Sequence, residues 1–141
     1  MCDFVHLHLH TQYSVLDGAM KIKDLMAKAV KNGQQAVAMT DHGNMHGAIE
    51  FYQSAIAAGI KPIIGCEVYL TSGSRLEKVP VSQGGAKTHH LTLLAENLTG
   101  YRNLCRLVTL AYTEGFYFKP RIDHEILSEY NSGIICLSGC V

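Results

Sequence analysis

The stretch that decides the reading is "FVHLHLHTQYSVLDG", residues 4–18. From Val5 to Leu9 the pattern alternates, with Val5, Leu7 and Leu9 on one side and His6, His8 and His10 on the other, the two-residue period of a β-strand. The period predicts a strand that carries three imidazoles on one face. An H-x-H pair at i and i+2 brings two ring nitrogens within reach of one ion, so His8 and His10, at the carboxyl end of that strand, are candidate metal ligands. His6 lies two residues deeper and reads as structural. Asp17, in "SVLDG", suits a turn as well as it suits a ligand.

Outward from this stretch, helices and strands alternate. Between Lys21 and Asn32 the apolar residues Ile22, Leu25, Met26, Ala29 and Val30 recur at three- and four-residue steps, which predicts an amphipathic helix. "AVAMT" (36–40) reads as a short buried strand, Met45 to Ala58 as a helix, and "KPIIGCEVYL" (61–70) as a strand. The Ser-, Gly- and charge-rich segment from Thr71 to Thr88 reads as an exposed, mobile loop. "HHLTLLA" (89–95) is a further strand. Asn97 to Glu114 follows as a helix with Tyr101, Leu104, Cys105, Val108 and Tyr112 on its stripe, and Asp123 caps a short helix through Tyr130. "GIICLSGCV" (133–141) begins another buried strand. Strand–helix alternation of this kind predicts an α/β domain with a largely parallel sheet. A closed β/α barrel needs about 250 residues, so the 141 residues present are expected to form one domain that is only part of a barrel.

Composition narrows the chemistry. Twelve Lys and Arg balance twelve Asp and Glu, which leaves no broad positive field for coating a phosphate backbone. No apolar run approaches the roughly 18 residues that span a bilayer, and the His-rich start does not read as a signal peptide, so a cytoplasmic protein without a membrane partner is expected. Five scattered cysteines without a C-x-x-C pair argue against a disulfide framework or zinc ribbon. Phosphate-loop, dinucleotide and nucleophile-elbow motifs are absent.

Eight histidines remain to be explained. In parallel α/β folds functional groups gather at the carboxyl ends of strands, and here His8 and His10 end the first strand while Asp41 and His42 follow the second. Glu67, inside an apolar strand, is a costly buried charge unless a cation pairs it. His89 and His90 are adjacent, so only one of them can face the cluster, and Cys140 follows the last strand. Such a mixed N/O/S set suits Zn, Mn or Fe better than Mg or Ca. His46 and His124 read as exposed, Cys66, Cys105 and Cys136 as small apolar fillers, and Lys119 and Arg121 as solvated loop charges.

At "FVHLHLHTQYSVLDG", "AMTDHGNMHGAIEFY", "GIKPIIGCEVYL", "HHLTLLAENLTGYRNL", "EGFYFKPRID" and "LSGC" the sequence resembles, along its whole length, the N-terminal PHP (polymerase and histidinol phosphatase) domain of bacterial DNA polymerase III alpha subunits. The H-x-H-T motif alone points only to the wider superfamily, whereas "SVLDG", "TDHGNM", "NLTGYRNL" and "FYFKPRID" in order resemble the replicative polymerase. The resemblance implies a distorted β/α barrel, seven-stranded when complete, with up to three divalent ions at its carboxyl pole. By the family's motifs His8 and His10 would hold the first ion, Glu67 would bridge first and second, His90 and Cys140 would complete the second, and Asp17 with His42 would hold the third. His90 is preferred to His89 because it directly precedes "LTLLA". Glu67 would then serve catalysis through the ions, with Asp41 as an orienting group or proton acceptor. It also implies that residues 1–141 are the first part of the PHP domain, the closing Asp-x-His motif and the polymerase domains lying beyond Val141. The parent function implied is DNA synthesis in chromosome replication, and the domain's own activity a 3′–5′ phosphodiester hydrolysis that proofreads the 3′ end of DNA, with other replicase subunits as partners. A structural platform that docks a separate proofreading subunit is a second reading. A free-standing phosphatase is a third, which the polymerase-like segments disfavour.

Overall fold

In a computed structural model of the chain the structure describes residues 4–139; Cys140, one of the expected ligands, lies outside them. Helix α1 (Ile22–Lys31) buries Ile22, Leu25, Met26 and Ala29 as the three–four spacing requires, with Asp24 in its first turn and Lys28 and Lys31 in its last complementing the helix dipole. Val30, expected on that stripe, is half exposed, because it is turned about 100° from Ala29. Strand β1 (Ala36–Met39) is buried throughout. Helix α2 (Ala48–Ala57) starts three residues later than expected. The Asn44 side chain accepts from the His46 N–H at 3.1 Å and holds the preceding residues in a turn.

The longest strand, β2 (Lys61–Thr71), organises the sheet. It pairs with β1 in parallel over Lys61–Ile64 and with β3 (Thr88–Ala95) antiparallel over Gly65–Thr71. Helix α3 (Leu98–Thr113) is capped by the Asn97 side chain; α4 (His124–Glu129) is capped by Asp123, as expected. The two-residue strand β4 (Arg121–Ile122) adds to β2 in parallel, and β5 (Ile134–Ser138) pairs antiparallel with β3. The sheet order is β1-β2-β3-β5, with β4 branching from β2.

The expected largely parallel sheet is therefore mixed: among the described residues β3 runs against the other four strands. The cause is the 72–87 connection, which supplies no crossover helix between β2 and β3 and so returns the chain as a long hairpin. This reversal decides the site, because it brings the start of β3 to the pole where the parallel strands end.

The segment expected as the first strand is not one. Ala38 N–H donates to the His6 carbonyl and Thr40 N–H to that of Leu9, both at 2.9 Å. Three residues on one side thus match two on the other, so the segment bends at Leu7–His8 and its alternation breaks. His6 leaves the shared face and packs edge-on against Phe4.

Two apolar clusters form the core. One joins α1, α2 and β1 through Ile22, Leu25, Val37, Met39 and Phe51, and the other joins α3 to the sheet through Cys66, Val68, Leu93, Leu104, Leu107 and Ile122. On α3 the buried stripe runs Gly100, Leu104, Leu107, Leu110 and Ala111. It is rotated from the expected one, and Tyr112 is exposed. Strand β5 is also less buried than its composition suggests, with Ile135 and Cys136 exposed.

The 72–87 segment is exposed along much of its length, as expected, but is tied to the rest of the chain at Arg75 and Glu77. Arg75 donates to Glu114, Asp123 and Glu125 at 2.8–3.1 Å. Arg121, expected in solvent, is buried and donates to the carbonyls of Gly115, Arg75 and Glu77 at 2.8–3.0 Å. A planar guanidinium can be buried when carbonyls take up its fixed fork of donors, and here they also tie the loop to β4.

Candidate metal centre

Glu67 lies mid-way along β2, its residue only 1% exposed, and four imidazoles converge on its carboxylate. His8 Nε2 is hydrogen-bonded to Oε2 and His10 Nε2 lies 3.0 Å from the same oxygen. His90 Nδ1 contacts Oε1, and His42 Nδ1 is 3.8 Å from it. Each carboxylate oxygen thus faces two ring nitrogens. The donor atoms fall into two groups able to hold an ion, His8–His10–Glu67 and His42–Glu67–His90, and Glu67 belongs to both.

Backbone pairing brings each imidazole there. Gly43 N–H donates to the Glu67 carbonyl and Glu67 N–H to that of Asp41, which sets His42 opposite Glu67 as a continuation of the β1 edge. Gly43 sits at φ +61°, and a Cβ there would come within 2.8 Å of Pro120 Cγ, so the turn after His42 requires glycine. On the other edge Thr92 pairs with Glu67 and His90 with Tyr69. The two-residue pleat then puts His90, but not His89, on the face of Glu67.

His8 and His10 are held by the residues that follow them. The buried carboxylate of Asp41 accepts from Thr11 N–H at 2.6 Å, Thr11 Oγ1 at 2.7 Å and Ser14 Oγ at 2.7 Å. Thr40 Oγ1 accepts from Leu9 N–H at 2.8 Å. Ser14 Oγ also accepts from His42 N–H and lies 3.5 Å from His10 Nδ1, so one serine touches both halves of the cluster. Asp17 reaches the centre through His42, whose Nε2 is 2.9 Å from its Oδ2.

The electrostatics suit a cation. Burial pushes the Glu67 carboxyl up, but the hydrogen bond from His8 and the fields of His42, His8 and His90 outweigh it, and the net shift is downward. Glu67 is accordingly a carboxylate at neutral pH. His10 is lowered, first by burial and then by repulsion from His42, which favours the neutral imidazole that a metal needs. Among the described residues His42 Nδ1 is the buried side-chain atom without a hydrogen-bond partner. An orphaned imidazole nitrogen facing a carboxylate oxygen fits an ion between them.

Of the eight expected site residues, His8, His10, His42, Glu67 and His90 come together, Asp17 touches His42, Asp41 lies behind the cluster, and Cys140 lies outside the described residues. His46 and His124 are exposed, as expected, and His89, turned away from the cluster, is exposed too. Reading residue by residue missed Thr11, Ser14 and Tyr69. The Tyr69 ring stacks on His42 at 6.1 Å and meets His90 edge-on at 5.1 Å. The signal for it was present, since Glu67 and Tyr69 are two residues apart on one strand and must share a face.

The PHP domain family matches residues 6–141. The chain belongs to the PHP family. This PHP chain is 56% identical over 144 residues to the DNA polymerase III subunit alpha of Deinococcus radiodurans, covering 98% of the chain and 11% of that protein. With the Aquifex aeolicus subunit it shares 53% over 143 residues, covering 99% and 12% respectively. It therefore spans about an eighth or less of the length of these relatives. Among solved structures, a Chromobacterium violaceum amidohydrolase superposes with TM-score 0.53 at 23% identity, over 74% of this chain and 32% of that one. A Bifidobacterium adolescentis protein described as a metal-dependent phosphoesterase gives 0.50 at 19%, over 76% and 32%. These likenesses speak for the fold, a partial distorted β/α barrel. No helix among the described residues is long and apolar enough to cross a membrane.

Proposed function

We propose that this PHP chain is the N-terminal part of a DNA polymerase III alpha subunit, and that its cluster hydrolyses phosphodiester bonds at the 3′ end of DNA as a proofreading exonuclease. The observation that carries the reading is the Glu67 carboxylate, buried and shared by two imidazole sets, one on each oxygen. That donor set supports two ions of the Zn, Mn or Fe type, with His8 and His10 on one side of Glu67 and His42 and His90 on the other. Asp17 adds a carboxylate behind His42, and Cys140 completes the second set by the family's motif. Identity above 50% to alpha subunits supports the parent function, with DNA and other replicase subunits as partners and the cytoplasm as location.

Bound divalent ions supply a nucleophile at neutral pH and neutralise charge that builds on phosphoryl oxygens. The chain's own part is positioning. Glu67 fixes the two imidazole pairs relative to each other, and Asp41 holds the His8–His10 segment through Thr11 and Ser14. With three donors already on its carboxylate, Asp41 acts as a positioning residue rather than a proton acceptor. A 3′-labelled oligonucleotide incubated with the chain and Mn²⁺, Zn²⁺ or Fe²⁺ tests the proposal. Cleavage should vanish with chelator and with Glu67→Gln, and cleavage indifferent to both would overturn it.

A further inference from the structure

We infer that the metal cleft continues into a second groove that receives the neighbouring nucleotide of a single strand, its base stacked on Phe118 and its phosphate held by Lys119; this rests on the phosphodiesterase reading above. Lys119 lines both spaces. On one side is a cleft of about 370 Å³ walled by Asp17, His42, Tyr69 and His90, and on the other a groove of about 310 Å³ walled by Val79, Pro80, Tyr117 and Phe118. A chain whose scissile phosphate sat at the cluster would pass the Lys119 ammonium on its way into the second groove.

Phe118 is 82% exposed and has φ +58°, a region that disfavours bulky side chains. Neither burial nor backbone comfort accounts for an aromatic ring there. The turn that presents it is firmly built: Tyr117 N–H donates to the Lys119 carbonyl at 3.1 Å, the Tyr117 ring meets Phe118 edge-on at 4.6 Å, and the buried Arg121 guanidinium lies 5.3 Å from the Tyr117 ring centroid. An outward aromatic on a rigid base is what sequence-tolerant base stacking needs. The Lys119 amino group sits 4.6 Å from the Tyr69 ring centroid, and among the described residues no carboxylate pairs with it. In a chain with no net charge, the grip on a phosphate has to come from such a local cation.

The test is fluorescence anisotropy of a short labelled oligothymidylate with the full chain in chelator, so that binding is read without cleavage. Phe118→Ala should weaken binding about tenfold and Phe118→Tyr should restore it. An oligomer with abasic sites should bind the parent and Phe118→Ala equally. Lys119→Met should lower affinity and reduce the salt slope by about one. Equal affinity across the Phe118 series, or the same loss on the abasic strand, would overturn the inference; a thermal melt of each variant confirms that it is folded. Metal-dependent hydrolysis of a small chromogenic phosphodiester by the parent examines the cluster separately: base-dependent binding without that hydrolysis would fault the phosphodiesterase reading and leave the groove standing.

Discussion

Replacing Asp41 with alanine removes the anchor of the histidine segment, and the structure sets the size of the effect. The carboxylate is fully buried and accepts from Thr11 N–H, Thr11 Oγ1 and Ser14 Oγ. Alanine leaves these three donors unpaired beside a small cavity. A buried donor without a partner costs about 1–3 kcal/mol, and neighbouring losses do not add fully, so Asp41→Ala should destabilise the chain by about 3–6 kcal/mol. Asp41→Asn is milder. Its oxygen can still accept from Thr11 N–H and Ser14 Oγ, and its amide can donate to a rotated Thr11 hydroxyl, so a loss of about 1–3 kcal/mol is expected from the missing charge. Urea unfolding in chelator measures both variants without any contribution from metal. Repeating the urea unfolding with added Mn²⁺ or Zn²⁺ should raise the parent's midpoint, as binding to the folded state requires, and raise that of Asp41→Asn less. An Asp41→Ala variant within about 1 kcal/mol of the parent by the linear extrapolation would refute the anchoring argument.

Glu67→Gln should lower metal content by elemental analysis far more than His6→Gln, because Glu67 serves both donor groups whereas His6 packs against Phe4; equal losses would contradict the bend at Leu7–His8. Gly43→Ala should destabilise by about 1 kcal/mol or more, from a positive φ and the clash with Pro120, and should lower metal affinity through His42; a neutral result in a melt would refute the tight turn. For Asp123, burial pushes the carboxyl up, but hydrogen bonds from Arg75 and from Ile126 N–H outweigh it and hold it below the ordinary range. Its stabilising contribution is then present above the unfolded value of about 3.9 and lost as pH falls through the lower folded value. Asp123→Asn should therefore be less stable than the parent at pH 7, and the gap should close in denaturation measured towards pH 2.

How far the sequence could be read depended on whether local pattern or long-range pairing decided the outcome. Helix α1 and the Asp123 cap were legible because spacing and capping chemistry are local. The choice of His90 over His89 followed from the family's motif, and the pleat accounts for it once Glu67 is known to pair with Thr92. The direction of β3 was missed although its signal lay in the connection: "HHLTLLA" itself records no direction, but a 71–88 loop without a helical pattern offers no crossover and favours a hairpin. Without that direction, a histidine at the start of a strand had no evident reason to meet others at strand ends. The bend at Leu7–His8 was equally hidden, because it arises from the mismatch with β1 and not from the alternating residues themselves. Arg121 misled because an isolated charge is usually solvated, and the carbonyls that bury it, those of Gly115, Arg75 and Glu77, come together only in the folded chain.

Glu67 joining two ion positions is the feature on which the metal centre depends. Crystals of the chain grown with Mn²⁺ or Zn²⁺ and measured at the metal's absorption edge would locate the ions without reference to activity. Two anomalous peaks flanking the Glu67 carboxylate, one against His8 and His10 and the other against His42 and His90, are the predicted result. Ions bound only at exposed histidines such as His46, His89 or His124, with none touching Glu67, would contradict it.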